Sequence, residues 1–152
     1  MTTEDKKLRI EKYTYDEISK DYPALHNAIF NQPDPMHMPA VIYVVYKGGA
    51  EDAHYIGFLS GYYHDAVTLY IQRAGMLPDS KSQHRFSRGY ARAFFSEVME
   101  HLKKEGHVFL MAHMENTNVP ALLVALHTGW IINGVHTDTA GKTYVRILKD
   151  LR

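Results

Sequence analysis

The sequence has 152 residues, 45% of them hydrophobic, which is the size of one globular domain with one core. Seventeen basic residues balance seventeen acidic ones, so no overall field draws the protein to nucleic acid, an anionic membrane or an acidic substrate. Cysteine is absent, which excludes disulfide bonds, a thiolate nucleophile and a cysteine-based zinc site. We expect residues 1–152 to form a single domain.

The chain is predicted to begin with a strand and a helix. The segment LRIEKY, residues 8–13, has the alternation of a short strand, and residues 15–30 have the spacing of a helix. Pro23 lies inside that helix and is expected to kink it. Three prolines then predict a loop over residues 31–39.

Three strands are predicted next. Runs of β-branched and aromatic residues cover 40–46, 54–63 and 66–73. The last two are joined by a tight turn at His64 and Asp65. We therefore expect these strands to form an antiparallel meander.

A long amphipathic helix and a buried strand follow. Apolar residues recur at helical spacing over 87–105, and Gly106 is expected to end that helix. Residues 107–114, HVFLMAHM, form a continuous apolar run that predicts a strand buried on both faces.

The last segments predict a helix and two strands. Asn118 can cap a helix that has Pro120 in its first turn and ends at Gly129. Residues 130–136 and 143–151 read as a strand pair. The whole order is β-α-β-β-β-α-β-α-β-β, a mixed α/β fold with a mostly antiparallel central sheet flanked by helices.

Two general exclusions concern membranes and metals. The N-terminal segment is charged and lacks the apolar core of a secretory signal, and no stretch reaches the roughly 18 apolar residues of a membrane span. The ten histidines show no HxxxH or HExxH spacing. We expect a soluble, cytoplasmic protein without a metal site.

The helix after the buried strand carries the most specific motif. It reads NVPALLVALHTGW, with Asn118, Ala121, Gly129 and Trp130 in the register Asn-x-x-Ala and Gly-aromatic. This pattern, together with the order of elements, resembles the GNAT superfamily, the Gcn5-related N-acetyltransferases. The resemblance covers most of the chain, chiefly residues 55–152. It implies acyl transfer from acetyl-CoA or another acyl-CoA to an amine.

The start of the long helix is similar to the acyl-CoA signature of that family. The segment RFSRGYARAFF, residues 85–95, places Gly89 and Ala91 where the family has small residues, although Phe86 replaces its usual Gln or Arg. Arg85 and Arg88 can add charge-assisted contacts to phosphates. The resemblance implies that a helix N-terminus binds the CoA pyrophosphate here. The backbone amides that would do so belong to Ser87, Arg88, Gly89, Tyr90 and Ala91.

The resemblance also implies where the pantetheine arm of CoA lies. The exposed edge of the fourth strand, around Tyr70, Ile71 and Gln72, would pair with the pantetheine amides as an added strand does. Asn118 would contact the same arm or steady the fifth strand.

Acyl transfer needs a deprotonated amine and a stabilised leaving thiolate. The family often uses a tyrosine on the helix after the fifth strand as the acid, but that position is Ala125 here. Tyr90 and Tyr70 are the candidate substitutes. Glu115 and His113, at the end of the fifth strand, are the candidate bases.

Each candidate also has an ordinary structural explanation. Gly89 and Ala91 can simply begin a helix, Asn118 can be a plain N-cap, and the tyrosines can pack with exposed hydroxyls.

Three functions therefore stay open. The first is an N-acetyltransferase that uses acetyl-CoA and a primary amine in a ternary complex, since no cysteine can carry the acyl group. The second is a binding or regulatory domain that has lost its chemistry. The third is acyl transfer to a nucleic acid or nucleobase, which the zero net charge disfavours. Self-association as a homodimer is common in the family.

Overall fold

The protein is described by a computed structural model that covers residues 8–31, 38–47, 54–77 and 88–152, without the side chains of His54 and of residues 88–93. The described residues form one seven-stranded mixed sheet with four helices, so the predicted mixed α/β class is confirmed. In chain order the elements are β1 (Leu8–Tyr13), α1 (Tyr15–Ile18), α2 (Tyr22–Phe30), β2 (Val41–Lys47), β3 (His54–Tyr63), β4 (Thr68–Met76), α3 (Arg88–Lys104), β5 (Phe109–Glu115), α4 (Val119–His127), β6 (Ile131–Thr137) and β7 (Thr143–Asp150).

The strands lie side by side in the order β1-β2-β3-β4-β5-β7-β6. The predicted meander of β2, β3 and β4 is antiparallel, as is the pairing of β7 with its two neighbours. Only β4 and β5 run parallel among the described strands. A parallel pair needs a long crossover connection, and α3 lies in the segment that supplies it.

Helices cover the two faces of the sheet unequally. On one face α3 buries Phe94, Val98 and Leu102, at helical spacing, in a core that also includes residues of α4 and of the strands. On the other face α2 packs Tyr22 and Leu25 against β2 and β3, and Ile29 and Phe30 at its C-terminal end lie against Gly75 of β4. The half of that second face formed by β5, β6 and β7 is therefore not covered by a described helix.

The predicted helix over 15–30 is wrong in one respect, since it is two helices. Thr14 and Glu17 form a capping box at the start of α1, where Glu17 N donates to Thr14 Oγ1 at 3.4 Å and Thr14 N donates to Glu17 Oε1 at 2.8 Å. Pro23 lies in the first turn of α2. Because proline has no N–H to donate, it is tolerated in a first turn, and here it begins a helix instead of kinking one.

The strand β4 lies later in the sequence than predicted. The turn after β3 takes four residues, 64–67, and Val67 N donates to Asp65 Oδ1 at 2.9 Å. The strand therefore begins at Thr68 and runs on to Met76. The tight two-residue connection was wrong because the carboxylate of Asp65 stabilises a longer turn, as aspartate side chains often do.

The expectation that the fifth strand is buried on both faces was also wrong. Leu110 and Ala112 point into the core and are buried, whereas Phe109 and Met111 are half-buried and His113 is exposed. The reason is the missing helical cover on the second face of β5. The strand is apolar by composition but has one solvent-accessible face.

The predicted ends of α3 and α4 are confirmed. Gly106 and Gly129 have φ angles of +98° and +93°, the left-handed conformation that favours glycine. Within the described ranges, no helix has the length and apolar character needed to cross a membrane.

Candidate active site

The site begins where two neighbouring strands separate. The parallel pairing of β4 with β5 ends at Ile71 and Ala112. Beyond this point β4 continues alongside β3 and β5 alongside β7, so their facing edges have no described strand between them. We call the gap between residues 72–76 and residues 113–115 the β4–β5 opening. Its backbone groups need hydrogen-bond partners, which an extended ligand with amide groups can supply.

The strand edge at Tyr70 and Ile71 is closed, contrary to expectation. Both residues pair with β5 on one side and with β3 on the other. The edge becomes open only from Gln72 onward. β3 pairs with Ile71 and with Arg73 but skips Gln72, which is therefore the extra residue of a β-bulge. The sequence contains no signal for the residue at which a parallel pairing stops.

The bulge leaves polar atoms without partners at the start of the opening. Gln72 Oε1 and Arg73 Nε are buried and make no hydrogen bond to any residue in the described parts of the chain. A buried polar atom without a partner carries a cost of about 1–3 kcal/mol. Such atoms fit a site that a polar ligand completes.

Two predicted catalytic residues meet on the uncovered face of the sheet. Tyr70 Oη and His113 Nδ1 are 2.6 Å apart on a diagonal, since Tyr70 pairs with Met111 and His113 lies one residue beyond the last paired residue of β5. The Tyr70 ring also stacks on Tyr62, with centroids 4.8 Å apart. The pair thus lies beside the β4–β5 opening.

The surroundings of this pair shift both pKa values. Partial burial, and then the charges of Arg146 and His136, lower the pKa of His113 below its usual value. Burial, and then the neighbouring Tyr62, raise the pKa of Tyr70 above its usual value, against the opposing charge of Arg73. At neutral pH the imidazole is therefore neutral and the phenol is protonated. A neutral base hydrogen-bonded to a protonated acid is suited to proton transfer in both directions.

Glu115, the other candidate base, has different contacts. It lies two residues beyond His113 on the same face of β5. Its Oε1 is 3.4 Å from Lys142 Nζ, and its Oε2 accepts a hydrogen bond of 3.5 Å from Thr117 Oγ1. The carboxylate is thus already engaged by a cation.

Asn118 occupies the N-cap position of α4, but its side chain makes no capping hydrogen bond. The plain N-cap explanation of this residue is therefore wrong. Its backbone N–H donates to Glu115 O at 3.0 Å, which closes the turn between β5 and α4. The exposed side chain lies just after the strand end that borders the opening.

The predicted phosphate-binding segment falls partly outside the described residues. Arg85 and Ser87 lie outside them. The described part of α3 begins at Arg88 and continues through Gly89, Tyr90 and Ala91, so the predicted start of the helix at Ser87 stays a prediction. The side chains of these residues are not described, so the suggested roles of Arg88 and Tyr90 stay predictions. The helix does follow β4, so its N-terminus comes after the strand that borders the opening.

Ala125 lies on the other side of the sheet from the Tyr70–His113 pair. It is buried on the inner face of α4 and lines a cavity between α3 and α4. His127 is exposed on the outer face of that helix. Within the described parts of the chain, no three histidine, aspartate or glutamate side chains are grouped to hold a metal ion.

Comparison with known proteins identifies the fold. No protein-family model and no curated protein sequence matches the chain, but solved structures do. An IAA acetyltransferase from Bacillus cereus ATCC 14579 superposes with a TM-score of 0.69 at 16% identity, over 95% of this chain and 99% of that one. The chain has the GNAT fold. The ribosomal-protein-S18-alanine N-acetyltransferase of Escherichia coli has a TM-score of 0.66 at 12% identity, over 95% and 94% of the two chains. The spermidine/spermine N-acetyltransferase SpeG of Vibrio cholerae superposes with a TM-score of 0.67 at 13% identity, over 95% of this chain and 92% of that one.

The GNAT resemblance found in the sequence is thus confirmed for the fold. Sequence reasoning named Tyr70 and His113 separately but did not predict that they form a hydrogen bond. It missed the stacking of Tyr62 on Tyr70 and the position of Arg146 beside His113. Both depend on strand register, which is fixed by pairing between residues far apart in the sequence.

Proposed function

We propose that the protein is an N-acyltransferase that moves an acyl group from acyl-CoA to a primary amine. The observation that supports this most directly is the β4–β5 opening in a GNAT fold, with a hydrogen-bonded acid–base pair beside it. Acyl-CoA is the first substrate and an amine is the second. Because the chain has no cysteine to carry the acyl group, the amine attacks the thioester directly in a ternary complex.

The donor would bind along the opening. The pantetheine amides pair with the free edge of β4 over 73–76, and one of them can hydrogen-bond the buried Oε1 of Gln72. The pyrophosphate lies at the N-terminus of α3 on the amides of residues 87–91, with Arg85 and Arg88 beside it. Asn118 contacts the pantetheine arm from the other side. Tyr70 and Ile71 border this site but do not pair with the ligand, because their backbone groups already pair with β3 and β5.

In this proposal His113 is the general base and Tyr70 the acid. With its proton on Nδ1, His113 donates to Tyr70 Oη across 2.6 Å, and Nε2 accepts a proton from the amine directly or through a water. The amine nitrogen bonds to the carbonyl carbon, the C–S bond breaks, and the Tyr70 hydroxyl protonates the departing thiolate. The Nδ1 proton then restores the Tyr70 hydroxyl, and proton exchange with solvent returns the imidazole to the tautomer protonated on Nδ1. The products are an amide and the thiol of CoA.

The other two catalytic candidates have less support. Glu115 forms an exposed ion pair with Lys142 and is not part of the hydrogen-bonded Tyr70–His113 pair. Tyr90 lies near the start of the described part of α3, and it stays an alternative acid.

The cofactor site can be tested by replacing one glycine. Titration calorimetry with acetyl-CoA should show micromolar binding to the wild type and none to Gly89→Trp, because the indole fills the space that a phosphate needs at the helix N-terminus. Glu97→Trp, an exposed position on the same helix, is the matched control and should bind normally. Equal binding to both variants would refute this placement of the pyrophosphate. No binding to the folded wild type would overturn the proposed function.

A second candidate function rests on Ala125. A GNAT-fold domain without the usual tyrosine can bind CoA without turnover. It would bind acetyl-CoA but release no thiol in the presence of any amine, which distinguishes it from the first proposal.

We further propose that the protein self-associates through β6. This strand pairs with β7 on one edge, and no described strand covers the other edge. Its sequence IINGVHT has no Asp, Glu, Lys, Arg or Pro, the residues that usually protect a free edge. Ile131 and Val135 are exposed by 56% and 71%. An antiparallel β6–β6 contact about a two-fold axis would bury them.

Sedimentation should therefore detect a dimer that Val135→Lys dissociates, since charges on adjacent copies of a free edge repel each other. Val67→Lys, at an exposed apolar position in the turn before β4, should leave the dimer intact. A wild type that stays monomeric at high concentration would contradict this arrangement.

A further inference from the structure

The cavity between α3 and α4 is large and mostly apolar. Its volume is about 630 Å³, within the usual range of ligand sites. The cavity is partly open to solvent, since Val124 in its lining is 45% exposed, so a ligand can enter it. Its apolar lining includes Phe95, Met99, Ala112, Met114, Trp130 and Ile147.

This cavity is continuous with the β4–β5 opening. It is lined by Ile71 and Ala74 of β4 and by Ala112 and Met114 of β5, which border the opening on its two sides. Tyr70 and His113 alternate with these residues along their strands and therefore point to the opposite face of the sheet. A thioester in the opening would have the acid–base pair on one face and the cavity on the other.

Small residues on α4 create the space. Ala121, Val124, Ala125 and Thr128 follow the spacing of one helix face and line the cavity, whereas Leu123 faces outward and is 50% exposed. An aromatic residue at position 125 would project into the cavity. The alanine that replaces the usual GNAT tyrosine thus leaves room for a ligand.

The far end of the cavity is polar. Charged residues of both signs line it there: Glu100, Lys103, Lys149, Asp150 and Arg152. Lys149 Nζ donates to Thr128 O at 2.6 Å, and Arg152 pairs with Asp150. A ligand that matches the whole space is therefore an apolar chain that starts at the thioester and ends before these charges. Water is a poor occupant of the apolar part, because it finds few hydrogen-bond partners there.

We propose that this cavity holds the hydrocarbon chain of a medium-length acyl group, so that the preferred donor is a medium-chain acyl-CoA and not acetyl-CoA. The inference rests on the proposed function and specifies its donor. The acetyl group, which the sequence predicts as the transferred group, would leave most of the cavity empty. The transfer itself is unchanged: the C–N bond forms, the C–S bond breaks, His113 takes the amine proton, and the Tyr70 hydroxyl protonates the departing thiolate.

The test compares acetyl-, hexanoyl- and decanoyl-CoA by titration calorimetry. Each methylene buried in an apolar site adds up to roughly fourfold in affinity, so the four extra methylenes of hexanoyl-CoA should tighten its binding over acetyl-CoA by up to roughly 250-fold, and a gain of about tenfold already requires partial burial of the chain. Ala125→Phe should remove this preference and leave acetyl-CoA binding intact. Ala121→Leu is the second variant, in case the larger substitution prevents folding. Leu123→Phe, on the outer face of α4, is the matched control and should keep the preference.

A spectroscopic readout is independent of turnover. Trp130, the single tryptophan of the chain, lines the cavity. Its emission should shift with decanoyl-CoA and with free decanoate, but not with acetyl-CoA, and Ala125→Phe should abolish the shift. Equal affinities for acetyl- and hexanoyl-CoA would overturn the inference while the proposed function stands. A Trp130 emission shift with decanoate, without binding of any CoA thioester, would overturn the proposed function and its medium-chain donor. The cavity would then be a binding site for a free fatty acid.

Discussion

Replacing His113 with alanine should lower kcat by about 10²- to 10⁴-fold, the usual contribution of a general base, with little change in the affinity for acyl-CoA. Tyr70→Phe should lower kcat by a similar factor, because the leaving thiolate loses its proton donor. The two effects should not multiply in the double variant, since the residues act as one hydrogen-bonded pair. Amine-dependent thiol release measures all three rates.

The role of His113 as the base also predicts in which direction kcat changes with pH. The lowered pKa of His113 keeps the base neutral at neutral pH, so the rate should rise with pH below the usual histidine pKa of 6.5 and then level off. The raised pKa of Tyr70 should hold the plateau up to alkaline pH. His113→Ala should lose the acidic limb. His127→Ala, an exposed histidine on α4, is the control and should keep the full profile. Unchanged kcat in His113→Ala would leave Glu115 as the candidate base.

Tyr43→Phe should reduce the free energy of unfolding by about 1.5–3 kcal/mol, the usual contribution of a hydrogen bond to a charged group. The Tyr43 side chain is fully buried, and its hydroxyl donates to Glu105 Oε2 at 2.6 Å. Lys12 Nζ is 3.6 Å from the same oxygen, and His101 Nε2 is 3.1 Å from Oε1. This group joins the C-terminal end of α3 to β1 and β2.

The loss in Tyr43→Phe should depend on pH. Partial burial acts to raise the pKa of Glu105, but the Tyr43 hydrogen bond and then the charges of Lys12 and His101 outweigh it, so the pKa lies below its unfolded value of 4.5. A lowered carboxylate pKa stabilises the fold above that pH and ceases to do so as pH falls through the folded value. The difference between wild type and variant should therefore shrink below about pH 4.5.

Urea unfolding at pH 7 and at pH 3.5 measures the loss of unfolding free energy in Tyr43→Phe and its dependence on pH. Tyr13→Phe is the matched control, because the Tyr13 hydroxyl is 3.2 Å from the neutral hydroxyl of Tyr46. It should cost only about 1 kcal/mol, with no acid dependence from a carboxylate. Equal losses in the two variants at both pH values would contradict the role of Glu105.

The sequence was sufficient for the fold and for most of its elements. Local signals placed Gly106 and Gly129 at helix ends, and the apolar spacing of α3 was visible without a structure. The helix at 15–30 was harder to predict, because apolar periodicity continues across the break between α1 and α2. Only the capping box of Thr14 and Glu17 and the position of Pro23 mark the two starts.

The site was less predictable for a physical reason. Its geometry depends on where the β4–β5 pairing stops and on the bulge at Gln72, which are tertiary features. The Tyr43–Glu105 contact joins residues 62 positions apart. The sequence identified Ala125 as a departure from the family pattern. That this alanine lines a cavity follows only from the packing of α4 over the sheet.

The most direct test of acyl transfer is amine-dependent release of thiol from acyl-CoA by the wild type. Acetyl-CoA and decanoyl-CoA are each incubated with a panel of primary amines, and mass spectrometry follows the amine. Acyl transfer should release one equivalent of CoA thiol for each equivalent of amide formed, and His113→Ala should lose the reaction. Binding of both thioesters without amine-dependent thiol release across the panel would contradict acyl transfer and favour a CoA-binding domain without catalysis.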